Sequence, residues 1–153
     1  MDKVVKQELI DFINTHQTHM NFEDALKSFP TNWINQKARG VNYTFYALVE
    51  HLRIAQHDIL SYIKQENYVE LNWPDDYWPA LNFKASKKDF LESVKHFKKD
   101  QRELTSLINK HDFKLSSTLP NKKTALHEIL LIIDHNSYHI GELAILRQVE
   151  NIW

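Results

Sequence analysis

The sequence predicts an all-α protein, a four-helix bundle, and three observations carry that expectation. Glycine is scarce, with only Gly40 and Gly141 among 153 residues, where average usage would supply about eleven. Strand-rich folds depend on glycine at positive φ for their tight turns, and the chain lacks that material. The four prolines, Pro30, Pro74, Pro79 and Pro120, divide the chain into four long stretches without a residue that helix interiors exclude. Within each stretch, apolar residues recur at three- and four-residue intervals, the period of one helix face.

The first predicted helix carries the stripe Val5, Leu9, Phe12, Ile13, His16 and Met20, with Lys, Glu and Asp opposite. A connector from Phe22 to Val41 follows, in which EDALKSF has the makings of a short extra helix. The second, from about Thr44 to Gln65, repeats the pattern with Leu48, Leu52, Ala55, Ile59, Tyr62 and Ile63. The third, Lys87 to Asn109, is lined by Phe90, Val94, Phe97, Leu104 and Ile108, and Ser86 with Asp89 three positions on forms a variant capping box at its start. The fourth, from Thr124 to about Glu150, has Ile129, Ile132, Ile133, Ile140, Leu143 and Ala144. All four are expected to be amphipathic and about 20 to 27 residues long. Between the second and third lies ENYVELNWPDDYWPALNFKA, about 20 residues. At up to about 3.3 Å per residue it can run the height of a bundle about 35 Å tall. A crossover topology with the middle helices parallel is therefore open, alongside simple up-down-up-down.

Composition removes several function classes. Two glycines a hundred positions apart cannot form a Gly-rich nucleotide loop or a GxSxG nucleophile elbow. The absence of cysteine excludes disulfides, thiolate zinc sites, iron–sulfur clusters and a cysteine nucleophile, and fits a reducing cytoplasm. Nineteen basic against 20 acidic side chains leave a net charge of −1, without the basic excess that a nucleic-acid partner calls for. No apolar run is long enough to span a membrane, and MDKVVKQELIDF does not resemble a signal peptide. The expectation is one cytoplasmic domain over residues 1–153.

Nine histidines in a chain without cysteine direct attention to metal binding. His135 and His139 sit four apart in IIDHNSYHIGEL, so they stack on one helix face beside the apolar stripe, within reach of a single ion. His51, between Leu48 and Ala55 on the buried face of the second helix, is the best third ligand. A hydrogen-bonded core histidine is the competing reading of each. His16 and His19 form an HxxH pair that offers a weaker ligand set, while His57, His96, His111 and His127 are expected at the surface. Three neutral imidazoles leave an open coordination position, as catalytic sites do, and they suit Zn²⁺ or Ni²⁺. Glu128 and Glu142, near the same flank of the fourth helix, are candidates for a general base or for orienting a ligand; exposed helix carboxylates are the alternative. Trp73, Tyr77 and Trp78 either wall a substrate pocket or pin the long connector to the bundle.

The segments NYTFYALVEHLRIAQHDIL, WPDDYWP and DHNSYHIGELAILRQ together resemble the DinB-like superfamily, the DinB/YfiT-type metal-dependent enzymes, over about residues 5–150. The resemblance implies an up-down-down-up four-helix bundle. It also implies a divalent metal held by His51, His135 and His139, the positions that match the family's ligands. Characterised members include bacillithiol transferases and a mycothiol-dependent isomerase. The resemblance thus implies a small-molecule substrate and a thiol S-transferase using a low-molecular-weight thiol activated at the metal. A metal-dependent hydrolase and a non-catalytic ligand- or partner-binding bundle are the alternatives. A homodimer through an apolar edge of the first or last helix is a further expectation. Gly141, inside the last helix, suggests a close approach by a neighbouring helix or subunit.

Overall fold

The computed structural model describes residues 2–15 and 18–153. The regular elements of the described residues are all helical: α1 (Asp2–Asn14), α2 (Phe22–Leu26), α3 (Phe45–Lys64), α4 (Lys87–Asn109) and α5 (Ala125–Val149), with single 3₁₀ turns at Thr31–Trp33 and Asp75–Tyr77. Side chains written into the sequence set the starts of these helices. Ser86 accepts from the Asp89 backbone N–H while Asp89 accepts from that of Ser86, the reciprocal box expected for α4. Asn21 and Asp24 form the same box on α2. Thr44 and Thr124 cap α3 and α5 alike, each accepting from the N–H three residues on. Left-handed turn positions fall to Ser28, Gln65, Asn67, Lys122 and Asn151, a consequence of the glycine shortage.

Polar contacts between helices establish the topology. From α3 to α4, Glu50 accepts from Ser93, Gln56 Nε2 donates to the Phe97 carbonyl, His57 meets Asp100 and Lys64 meets Glu103. Both numbers rise together, so α3 and α4 run parallel. From α3 to α5, His51 meets His139 while Gln56, further along, meets Asn136, so these two are antiparallel. Lys6 reaches Lys110 and Asn14 reaches Thr105, which makes α1 antiparallel to α4. The order α1, α3, α4, α5 is therefore up-down-down-up. The Trp-Pro connector is the crossover that joins the two parallel helices.

Two apolar clusters fill the bundle. One gathers Phe22, Phe29, Phe45, Leu52, Phe97 and Leu143; the other gathers Leu60, Leu104, Ile108, Ile129 and Ile132. Gln56, only 1% exposed, links α3, α4 and α5 through Phe97 and Asn136.

Three expectations need correction. The helical run of α1 is 13 residues, shorter than 20, because Asn14 and Thr15 turn their side chains back onto the Ile10 and Asp11 carbonyls at its end. Met20 packs on the core from beyond it, Phe12 is 55% exposed, and His16 lies outside the described residues. The last helix is not amphipathic: α5 buries Ile129, Ile132 and Leu143, yet also exposes Leu130, Leu131, Tyr138, Ile145 and Val149. Gly141 has no close neighbour, since an added Cβ would meet nothing within 4 Å among the described residues. Its place is not explained by packing within the chain. No helix of the described residues is long and apolar enough to cross a membrane.

His57 is exposed, as expected, and is also paired: its Nδ1 lies 2.9 Å from Oδ2 of the buried Asp100. That hydrogen bond outweighs burial and raises the imidazole above its ordinary value. A raised folded-state pKa contributes stability that is complete below about pH 6.5 and lost as pH rises through the folded value. His57→Phe should cost up to about 1 kcal/mol at pH 5.5, a figure held down by solvent screening, and measurably less at pH 8.5. Urea unfolding at both values checks this; an equal cost at the two would contradict it.

Candidate metal centre

The i, i+4 spacing on α5 points His135 and His139 inward, and the antiparallel α3 brings His51 against them. His51 Nε2 lies 3.1 Å from His135 Nε2 and 3.3 Å from His139 Nε2. All three rings offer a nitrogen to one point, and theirs is the sole group of metal-ligating atoms so gathered among the described residues. Two nitrogens each about 2.05 Å from a tetrahedral zinc stand about 3.3 Å apart. The observed spacings match that edge.

Each ring's orientation has an identifiable cause. His51 is 2% exposed, and its Nδ1 donates to the Tyr77 carbonyl at 2.9 Å. With that proton on Nδ1, Nε2 carries a free lone pair. The indole of Trp78 lies flat against the same ring, 4.0 Å away and within 2° of parallel. His139 Nδ1 meets Glu142 Oε2 at 2.7 Å, one turn along α5, and the Tyr43 hydroxyl donates to the other carboxylate oxygen. A carboxylate behind a ligating imidazole fixes its tautomer and raises its basicity. The Nδ1 of His135 is buried without a hydrogen-bond partner among the described residues.

The electrostatics favour the neutral form of His51 and His135 beside one negative charge. Burial lowers the His51 imidazole. Burial, and then the adjacent His139 and His51 rings, push His135 down to about 4. Burial alone would raise Glu142, but hydrogen bonds from His139 and Tyr43 outweigh it and hold the carboxyl below its ordinary value. Tyr43 is pushed up by burial and by its bond to Glu142, so its phenol stays a donor. Lone pairs that face one another are a poor arrangement by themselves and a good one around a cation.

The other candidates separate into distinct places. Glu142 is bonded to a ligand, and Glu128 is 5% exposed and bonded to Asn121, so neither is the exposed carboxylate of the alternative reading. No hydrogen bond joins Glu128 to the three histidines; it lines, with His135, a cavity of about 790 Å³. Trp73 and Tyr77 belong to that cavity's wall, whereas Trp78 covers His51 and packs against Tyr43. Tyr77 thus contributes twice, by its carbonyl to His51 and by its ring to the cavity. His19 is exposed and bonded to the Met20 carbonyl. His96, His111 and His127 are exposed, as expected. Sequence reasoning missed Tyr43, which lies 99 residues from the carboxylate that it meets.

A family model described as the DinB superfamily matches residues 14–143. The match covers most of the chain and all three histidines, and the protein belongs to that superfamily. No match was found among curated proteins or among solved structures. Superfamily membership and the three-histidine cluster together are compatible with a metal-dependent enzyme that uses a divalent ion.

The carboxylate behind His139 gives a testable consequence. Glu142→Gln keeps the size and an acceptor but removes the charge, and divalent-metal affinity should fall about 10- to 100-fold. Competition with a chromogenic chelator measures this, and an unchanged affinity would show that Glu142 does not act through His139.

Proposed function

We propose that the protein is a metal-dependent thiol S-transferase, with His51, His135 and His139 holding Zn²⁺ or Ni²⁺. One observation carries the reading: three imidazole nitrogens converge with no fourth protein ligand among the described residues. A divalent ion held by these three histidines would lower the pKa of a thiol bound to it, making thiolate available at neutral pH. The chain's own groups supply the rest. Tyr77 and Glu142 hold His51 and His139 in the ligating tautomer, and Trp78 keeps water from one face of His51. The adjoining cavity gives the electrophile room beside His135. With no cysteine in the sequence, the thiol arrives as a diffusible co-substrate.

The test supplies the metal-loaded protein with an aryl halide and, in turn, bacillithiol, mycothiol or glutathione. A thioether forms, halide leaves with the bonding pair, and the thiol proton passes to solvent. Conjugation that needs both thiol and metal supports the reading. Ester hydrolysis by the loaded protein, unaffected by added thiol, would replace it with the hydrolase.

A further inference from the structure

The 790 Å³ cavity that ends at His135 is of the size that takes small organic ligands. Its chemistry is one-sided. Asp58, Glu70 and Glu128 bring three carboxyl groups to its wall, and no lysine or arginine lines it. Two aromatic pairs stand among them, Tyr62 with Tyr68 at 5.0 Å and 69°, and Trp73 with Tyr77 at 5.2 Å and 64°. Edge-to-face pairs leave ring faces uncovered by the partner. Asp58 is 8% exposed and accepts from the Tyr77 hydroxyl at 2.6 Å, which ties a carboxyl group to an aromatic wall. Glu128 is 5% exposed; Asn121 holds its Oε1, and its Oε2 has no protein hydrogen bond among the described residues.

A metal ion does not account for this wall. The carboxyl groups are spread around the cavity, and among the described residues only the three histidines bring ligand atoms close enough to share an ion. Spread negative charge combined with ring faces is the recognition chemistry of an organic cation. We infer that this cavity binds an alkylammonium group, a protonated amine or a quaternary ammonium, and so selects a positively charged substrate or thiol for the histidine centre. The inference rests on the metal-centred reading for what becomes of the ligand, but the binding itself does not require the metal.

The probe is choline, set against its neutral isostere 3,3-dimethylbutan-1-ol and the anion 3,3-dimethylbutanoate, each titrated while the indole resonance of Trp73 is followed by NMR. Choline should bind about tenfold tighter than the alcohol, and the anion more weakly than either. Glu70→Gln with Glu128→Gln should remove the preference for choline. Glu70 and Trp73 are exposed, so Glu70→Gln and, with detection by calorimetry, Trp73→Ala should each weaken choline binding without unfolding the chain. Choline binding no tighter than that of the alcohol, or a preference that survives the double substitution, would overturn the assignment. The same titration on His139→Ala, whose altered residue does not line the cavity, separates the two readings. Choline preference kept in His139→Ala shows that the cavity binds without the metal, and choline preference in a wild-type protein shown to bind no metal upholds the cavity and refutes the centre. Metal binding without choline preference refutes the cavity assignment alone.

Discussion

Arg147→Ala is expected to destabilise the protein by about 3 kcal/mol or more, read as a drop in the urea midpoint at constant slope. Arg147 is fully buried in α5 and has no carboxylate partner among the described residues. Its guanidinium is held by carbonyls instead. Nη1 donates to Ala25 at 2.7 Å and Lys27 at 3.1 Å at the end of α2, and Nη2 donates to Ile152 at 2.9 Å. The plane lies 4.1 Å from the Trp153 ring centre and 5.3 Å from that of Phe29. One side chain thus fastens both α2 and the tail beyond α5 to the bundle. Truncation strands three acceptors and opens a cavity. Arg147→Lys keeps the charge but not the planar fork, and should recover only part of the loss. A cost for Arg147→Ala under about 1 kcal/mol would mean that water or neighbouring groups replace the fork.

The second large effect is a coupling between metal and stability. Zn²⁺ at about a hundred times its Kd should add about 2.7 kcal/mol to the unfolding free energy of the wild type. His139→Ala should abolish that gain. In EDTA the same substitution should cost about 1 kcal/mol or less, because it also relieves the opposed lone pairs of His51 and His139, 3.3 Å apart. Thermal or urea unfolding of both proteins, with metal and with EDTA, gives the four values required. Equal gains in wild type and variant would place the ion elsewhere.

What could be read from the sequence was local or periodic. Ser86 and Asp89 fixed the start of α4 because a capping box is complete within four residues. His135, His139 and His51 could be found because their spacing put each on the inner flank of a helix that periodicity had already defined. The crossover followed from connector length and from the family resemblance. Contacts made across the chain left no such mark. Tyr43 meets Glu142 across 99 residues, and Arg147 is tied to carbonyls 122 and 120 positions away, so neither has a sequence pattern that announces it. Glu128 and Glu142 lie near the histidines by helical angle, yet only Glu142 bonds to one, because it stands three residues from His139 whereas Glu128 stands seven from His135, about two turns away. The end of α1 was missed because Asn14 and Thr15 stop the helix inside an apolar period that runs on to Met20.

The central claim is that His51, His135 and His139 hold one divalent ion. Elemental analysis of protein purified without a nickel column, alongside His135→Ala prepared identically, tests it most directly. The arrangement predicts about one zinc or nickel per wild-type chain and below about 0.1 in the variant. Less than about 0.1 metal per chain in both, after incubation with Zn²⁺ and with Ni²⁺ and removal of excess, would contradict it.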